Sequence, residues 1–168
     1  MTFKKIMRKL LIVVVLSGFS VCGYAQSNSA QITASVEVIA PITIARAADL
    51  NFGRITIGGA GTVVVSSGGT RTQTGSITLL TGGSEAAGLF NITGRATSTY
   101  AVTIPSSVVL KKSGAPTETI TADSFTNNAV AITGSSDQLK VGATLHLAGN
   151  ETVGAYASDL FAVTVAYN

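Results

Sequence analysis

Beyond residue 30 the apolar residues of this chain come only in short runs, many of them alternating, and turn-forming clusters keep cutting those runs off. Ile32, Ala34, Val36 and Val38 alternate within QITASVEVIAPITIA, residues 31–45. LNFGRITI (50–57), GTVVVSS (61–67), GSITLL (75–80), GLFNITG (88–94) and TYAVTIP (99–105) follow. Among them lie GGAG, SSGGT, TGGSE, KKSGAP and TNN. These supply the Gly, Pro, Asn and Ser that tight turns need. A period of two broken by such turns predicts strands, and no stretch past residue 25 repeats apolar residues at i, i+3, i+4 and i+7 over a helix length. The chain therefore reads as all-β, a single antiparallel β-sandwich.

Further strands are expected at residues 123–133, 143–148 and 158–167. GLFNITG and TYAVTIP read as a hairpin around Ala96–Ser98. Pro41 removes a ladder donor, so the first strand must bend or lie at an edge there. Gly53 within LNFGRITI suggests a bulge or a close backbone approach. Phe52, Phe90, Phe125, Phe161, Tyr100, Tyr156 and Tyr167 fall about one to a strand, which is the spacing of a packed core.

The first 25 residues read differently. Lys4, Lys5, Arg8 and Lys9 precede the apolar run LLIVVVL, and Gly23 and Ala25 supply small residues at the cleavage-reading positions. This is the pattern of a signal peptide cleaved after Ala25, which leaves residues 26–168 as one domain. The run is shorter than the roughly 20 residues a membrane span needs. Cys22 raises a lipoprotein alternative, but Phe19, Ser20 and Val21 fit a lipobox poorly. Cleavage takes away four of the 11 basic residues and leaves 7 against 8 acidic ones, so the net charge passes from +3 to −1. The basic balance is thus no argument for nucleic acid. Cleavage also removes Cys22, the chain's one cysteine, so the expected exported chain has no disulfide and its core must hold the fold alone.

The chain stops on GAYASDLFAVTVAYN, residues 154–168, with Phe161, Val163, Val165 and Tyr167 on one face. Both ends of the expected mature chain are thus alternating strands with few charges and no lysine. Such edges offer unpaired N–H and C=O groups to other chains, and monomers usually protect them.

Residues able to carry chemistry are sparse. His146 is the one histidine and alternates with Leu145 and Leu147, so it reads as an outward strand residue. A metal set would need partners that the inventory lacks. The eight acids are scattered, and a glycosidase would need two to converge. The glycine clusters are not followed by a helix pattern, which argues for turns over phosphate loops. Asp49 in ADLNFG reads as a turn-former whose carboxylate takes backbone N–H groups. No catalytic, cofactor-binding or metal-binding residue is expected.

ITIARAADLNFGRITIGGAGTVVVSSGGTRTQTGSITLL resembles the opening of the bacterial domain of unknown function 4402. That family runs "ADLDFG", then a Gly-rich turn, then "GTVTVS". FNITGRATSTYAVTIP, VGATLHLAG and GAYASDLFAVTVAYN resemble its later strands, so the likeness spans residues 41–168. The resemblance implies an exported β-rich protein without an established activity. The closing strand, with Gly154 at its start and Tyr167 penultimate, also resembles spore-coat-U-like proteins and chaperone–usher pilins, though the cysteine pair of pilins is missing. That wider likeness implies an Ig-like, pilin-like sandwich in the periplasm, at the cell surface or outside the cell. It also implies a fimbrial-like structural or adhesive role built on strand addition. The assembly residues would be Ile32, Ala34, Val36 and Val38 in a donated strand and Phe161, Val163, Val165 and Tyr167 in the closing strand. The partners would be other copies or related surface subunits and a periplasmic chaperone, with no nucleic acid and no membrane insertion. The alternative is a monomeric sandwich that binds a glycan or other surface ligand through its loops; an enzyme is the remaining class.

Overall fold

The structure, a computed structural model, describes residues 26–168. The expected signal peptide at residues 1–25, with Cys22, lies outside the described residues. The chain divides into two units, and every described strand belongs to the second, Val38–Asn168. In the first, residues 26–37 form neither strand nor helix. The run expected as a strand from residue 31 therefore joins a ladder only at Thr43. Pro41 has no N–H to give and restricts the residue before it, and no described strand pairs with residues 31–39.

The strands are β1 Thr43–Ala48, β2 Arg54–Val65, β3 Arg71–Leu80, β4 Gly88–Thr93, β5 Tyr100–Thr103, β6 Ser107–Lys112, β7 Ala115–Asn127, β8 Ser136–Leu147, β9 Tyr156–Ser158 and β10 Thr164–Tyr167. All pairings are antiparallel, and the described residues include no helix. The large sheet runs β1-β4-β8-β7-β6-β9, with β2 also on β8 and β3 on β2.

β8 organises this sheet. Along one edge, Ser136–Val141 pairs with β4 and Ala143–Leu147 then pairs with β2. The other edge pairs with β7. Gly142 sits at the handover, where the end of β2 crosses over β8. A Cβ there would run into the Val65 carbonyl oxygen and the Ser66–Ser67 backbone. Only a residue without a side chain admits that crossing.

LNFGRITI and GTVVVSS, expected as two strands, contribute to the single strand β2. Its register against β3 shifts between Ile57 and Gly61, the place where GGAG was read as a turn. Such a bulge bends the hairpin without ending it. The expected hairpin of GLFNITG with TYAVTIP does not form. β4 already has β1 on one edge and β8 on the other, so β5 pairs with β10 instead. The loop between β4 and β5 bonds to the loop between β7 and β8, through Gly94 N to Ser135 O at 3.2 Å and Thr97 N to Ile132 O at 2.8 Å. β6 was not expected: SVVLKK carries only three apolar residues, and two lysines fill its end.

The inward faces build two cores. The first gathers Val63, Ile77, Ile120, Ala122, Leu145 and Leu147, with Phe52 and Tyr156 against it. The second gathers Ile92, Tyr100, Ile132, Leu139 and Val141, with Phe90, Phe125, Val163, Val165 and Tyr167 against it. β8 thus feeds Leu139 and Val141 into one core and Leu145 and Leu147 into the other. Tyr100 is 4% exposed and donates its hydroxyl to Asp137 Oδ2 at 2.7 Å. Burial, and then the bond and charge of Asp137, push the Tyr100 hydroxyl far above its usual range.

Two outcomes follow from this packing. Gly142→Ala forces the β2–β8 crossing apart and lowers stability by about 1–3 kcal/mol in urea unfolding, the usual penalty of overpacking. The raised Tyr100 value also sets an alkaline limit. The folded protein keeps this proton more tightly than the unfolded chain, so its contribution is complete below the unfolded value near ~10 and is lost as pH rises towards the folded value. Urea midpoints measured from about pH 8 to pH 12 fall in the wild type once the pH passes about 10, and the fall is smaller in Tyr100→Phe.

Candidate assembly site

β10 and β5 form a two-stranded sheet of their own, in the register Thr164–Thr103, Val165–Val102, Ala166–Ala101 and Tyr167–Tyr100. Each strand has one strand neighbour, so the outer edge of β10 carries ladder groups without a strand partner. Val165 and Tyr167 point into the second core while Thr164 and Ala166 face solvent. This is the alternation expected of the closing run, confined to four residues of ladder.

Side chains hold β10 in place where the ladder is short. The Tyr167 hydroxyl accepts from Arg95 N at 2.7 Å and donates to Ala40 O at 2.9 Å. Asn168 adds two bonds to Thr99, from its backbone N to the carbonyl at 3.3 Å and from Nδ2 to Oγ1 at 3.0 Å. The Tyr167 ring end lies so close to Gly94 that a Cβ there would overlap the hydroxyl. The penultimate tyrosine thereby ties the end of the chain to the strand entry at Ala40 and to the loop after β4.

Upstream of β10, residues 160–163 close one side of an apolar groove of about 390 Å³. Ile44 and Arg46 of β1 and Phe90 of β4 line the other side. Phe161 packs on Phe125 with ring centroids 5.7 Å apart. Leu160 is 94% exposed at the rim. β1 has β4 as its single strand neighbour, so the groove opens where β1 and β10 run near each other without pairing. Arg46 is turned to Asp49, Nη1 to Oδ1 at 3.0 Å on the surface.

The closing residues Phe161, Val163, Val165 and Tyr167 are thus brought to one place. Ile32, Ala34, Val36 and Val38 lie outside any strand and face solvent, with Ile32, Val36 and Val38 at 93%, 87% and 89% exposure. Ile44 and Phe90 escaped the sequence reading as groove residues. Ile44 carried a signal in its alternation with Ile42 after Pro41, whereas nothing in GLFNITG marked Phe90 as its neighbour. The Tyr167–Ala40 bond had no sequence signal, because it joins residues 127 apart.

The remaining polar residues serve local structure. His146 faces outward between buried Leu145 and Leu147, and its Nε2 meets Asp123 Oδ1 at 2.8 Å. That bond, and then one from Ser124, holds the Asp123 carboxyl below its usual value. Asp49 binds Arg46 rather than backbone, which corrects its reading as the turn-former; Asn51 Oδ1 takes that part by accepting from Gly53 N at 2.8 Å. Gly53 lies just before β2 rather than within a strand, and it is the side chain of Arg71 rather than a backbone that comes close to it; that guanidinium donates to the Phe52 and Leu80 carbonyls.

Strand ladders, two cores and an open-edged strand pair define an all-β module whose distinctive surface is a sheet edge. The family model described as Domain of unknown function (DUF4402) matches residues 42–167, and the chain belongs to that family. No curated protein and no solved structure matches it.

Tyr167→Phe keeps the ring and removes both hydroxyl bonds. It lowers stability by about 1–2 kcal/mol, and hydrogen exchange at the Arg95 amide speeds up more than at core amides of β8.

Proposed function

We propose that this protein is an exported structural subunit of the cell surface that assembles by strand addition. Its domain is read as a pilin-like, Ig-like sandwich, released by cleavage after Ala25. The acceptor is the groove beside β10, and the donor is the segment 31–39 of another copy or of a related subunit. A periplasmic chaperone would cover the same edge before assembly.

The observation that carries this reading is the unpaired outer edge of β10 beside an apolar groove. A strand added to an edge gains main-chain hydrogen bonds, and its alternate side chains enter pockets. The segment 31–39 supplies the complementary half. It alternates Ile32, Ala34, Val36 and Val38, no described strand pairs with it, and its large apolar side chains face water. Exposed β-branched residues on a segment outside the described strands gain from any edge that covers them.

A synthetic peptide of residues 31–39, added to the purified exported protein, tests the reading. The melting temperature rises with peptide concentration as mass action requires, and a peptide carrying Val36→Asp leaves it unchanged. A reversible melt of a monomer, untouched by either peptide, would sink the proposal.

A further inference from the structure

Outside the β5–β10 pair, three described strands have a single strand neighbour: β1, β3 and β9. Two of these edges are guarded in ways that natural sheets use against unwanted pairing. β1 carries Arg46. β9 is three residues long and lies beside the Lys111–Asp159 ion pair, Nζ to Oδ2 at 2.6 Å. β3 has one charge, Arg71 at its first residue, and that side chain is 8% exposed, turned to Glu85 and to the Phe52 and Leu80 carbonyls. The strand is ten residues long, and from Thr72 to Ser84 the chain holds no charged residue and no proline.

Gly75, with φ +69, marks the irregularity opposite the β2 bulge and leaves Ser76–Leu80 as an unbroken stretch of edge. Within it Ile77 is buried and Leu79 half-buried, while Ser76, Thr78 and Leu80 face solvent, Leu80 at 38% exposure. These residues favour strands, and the outward three are small, hydroxylated or apolar. The fold also shows what it places opposite a threonine. Thr43 faces Thr93 and Thr62 faces Thr74 directly across neighbouring strands, with hydroxyl oxygens 2.5 Å and 2.7 Å apart.

We infer that the Ser76–Leu80 edge of β3 pairs antiparallel with the same edge of a second copy, about a two-fold axis through Thr78. This register sets Thr78 opposite Thr78 of the second copy and Ser76 opposite Leu80. It repeats a hydroxyl pairing that the fold makes twice, and it brings no like charges together. An isologous contact of this kind closes at two copies. It uses neither β10 nor residues 31–39, so it stands apart from the assembly proposed above.

Directly opposed antiparallel residues have Cα atoms about 4.5–5.5 Å apart, within disulfide reach. Thr78→Cys therefore forms a disulfide-linked dimer under mild oxidation on a non-reducing gel. Thr121→Cys, at an exposed position of β7 within the sheet, is the control and stays largely monomeric. Sedimentation velocity at rising concentration shows a monomer–dimer shift that Thr78→Lys abolishes without moving the melting temperature. Val36→Asp with Val38→Asp, which disables the segment 31–39, leaves that shift in place. The inference is overturned by Thr78→Cys cross-linking no faster than Thr121→Cys. A protein monomeric at every concentration, or a dimer indifferent to Thr78→Lys, overturns it equally.

Discussion

One strand has to serve two cores. β8 passes from β4 to β2 along a single edge while β7 holds the other, and its side chains enter the second core before Gly142 and the first core after it. Neither half of the large sheet closes without the other half of β8. The unit Val38–Asn168 is bound into one network by this strand rather than by a cross-link, since no cysteine lies within it. The crossing at Gly142 is the geometric condition for that arrangement. A side chain there would separate β2 from β8 where the two cores meet.

The same topology makes the pairing partners distant in sequence. Thr43 meets Thr93, Gly61 meets Leu147, and Tyr100 meets Tyr167. Long-range ladders require large loops to close before contacts repay the loss of chain entropy, so folds of this kind form slowly. During that time the alternating runs at both ends stand open as edges, with few charges to discourage wrong pairing. A covering partner during export, which the proposed assembly includes, meets this physical need.

The strand content was legible because side-chain alternation and turn residues are local. GTVVVSS, GLFNITG and the closing run fall on β2, β4 and β10, and KKSGAP does place the turn between β6 and β7, whereas QITASVEV alternates as clearly and joins no described strand. Partner choice was not legible, because it is decided by which edges are already taken. β4 and β5 look like a hairpin until β1 and β8 claim both edges of β4. The bulge in β2 hid for a related reason: GGAG has the composition of a turn, and only the ladder of β3 on both sides of it carries the strand through. At the site, the closing face Phe161–Tyr167 could be read from alternation alone. The groove that it borders needed Ile44 and Phe90, which the fold brings from strands far away in the chain.

Where the fold leaves its edges open bears on what the two proposed contacts would build. A groove on one copy filled by a segment of another is a heterologous contact, and such contacts propagate into open chains unless the rotation closes a ring. Pairing of β3 with β3 is isologous and stops at two. A protein using only the first contact grows single filaments, and one using only the second stays a dimer. With both, each subunit has a neighbour ahead, a neighbour behind and one alongside, and the product is a paired filament with Thr78 on its lateral axes. The lateral contact then gains from multivalency, because each filament presents many copies of the β3 edge at once.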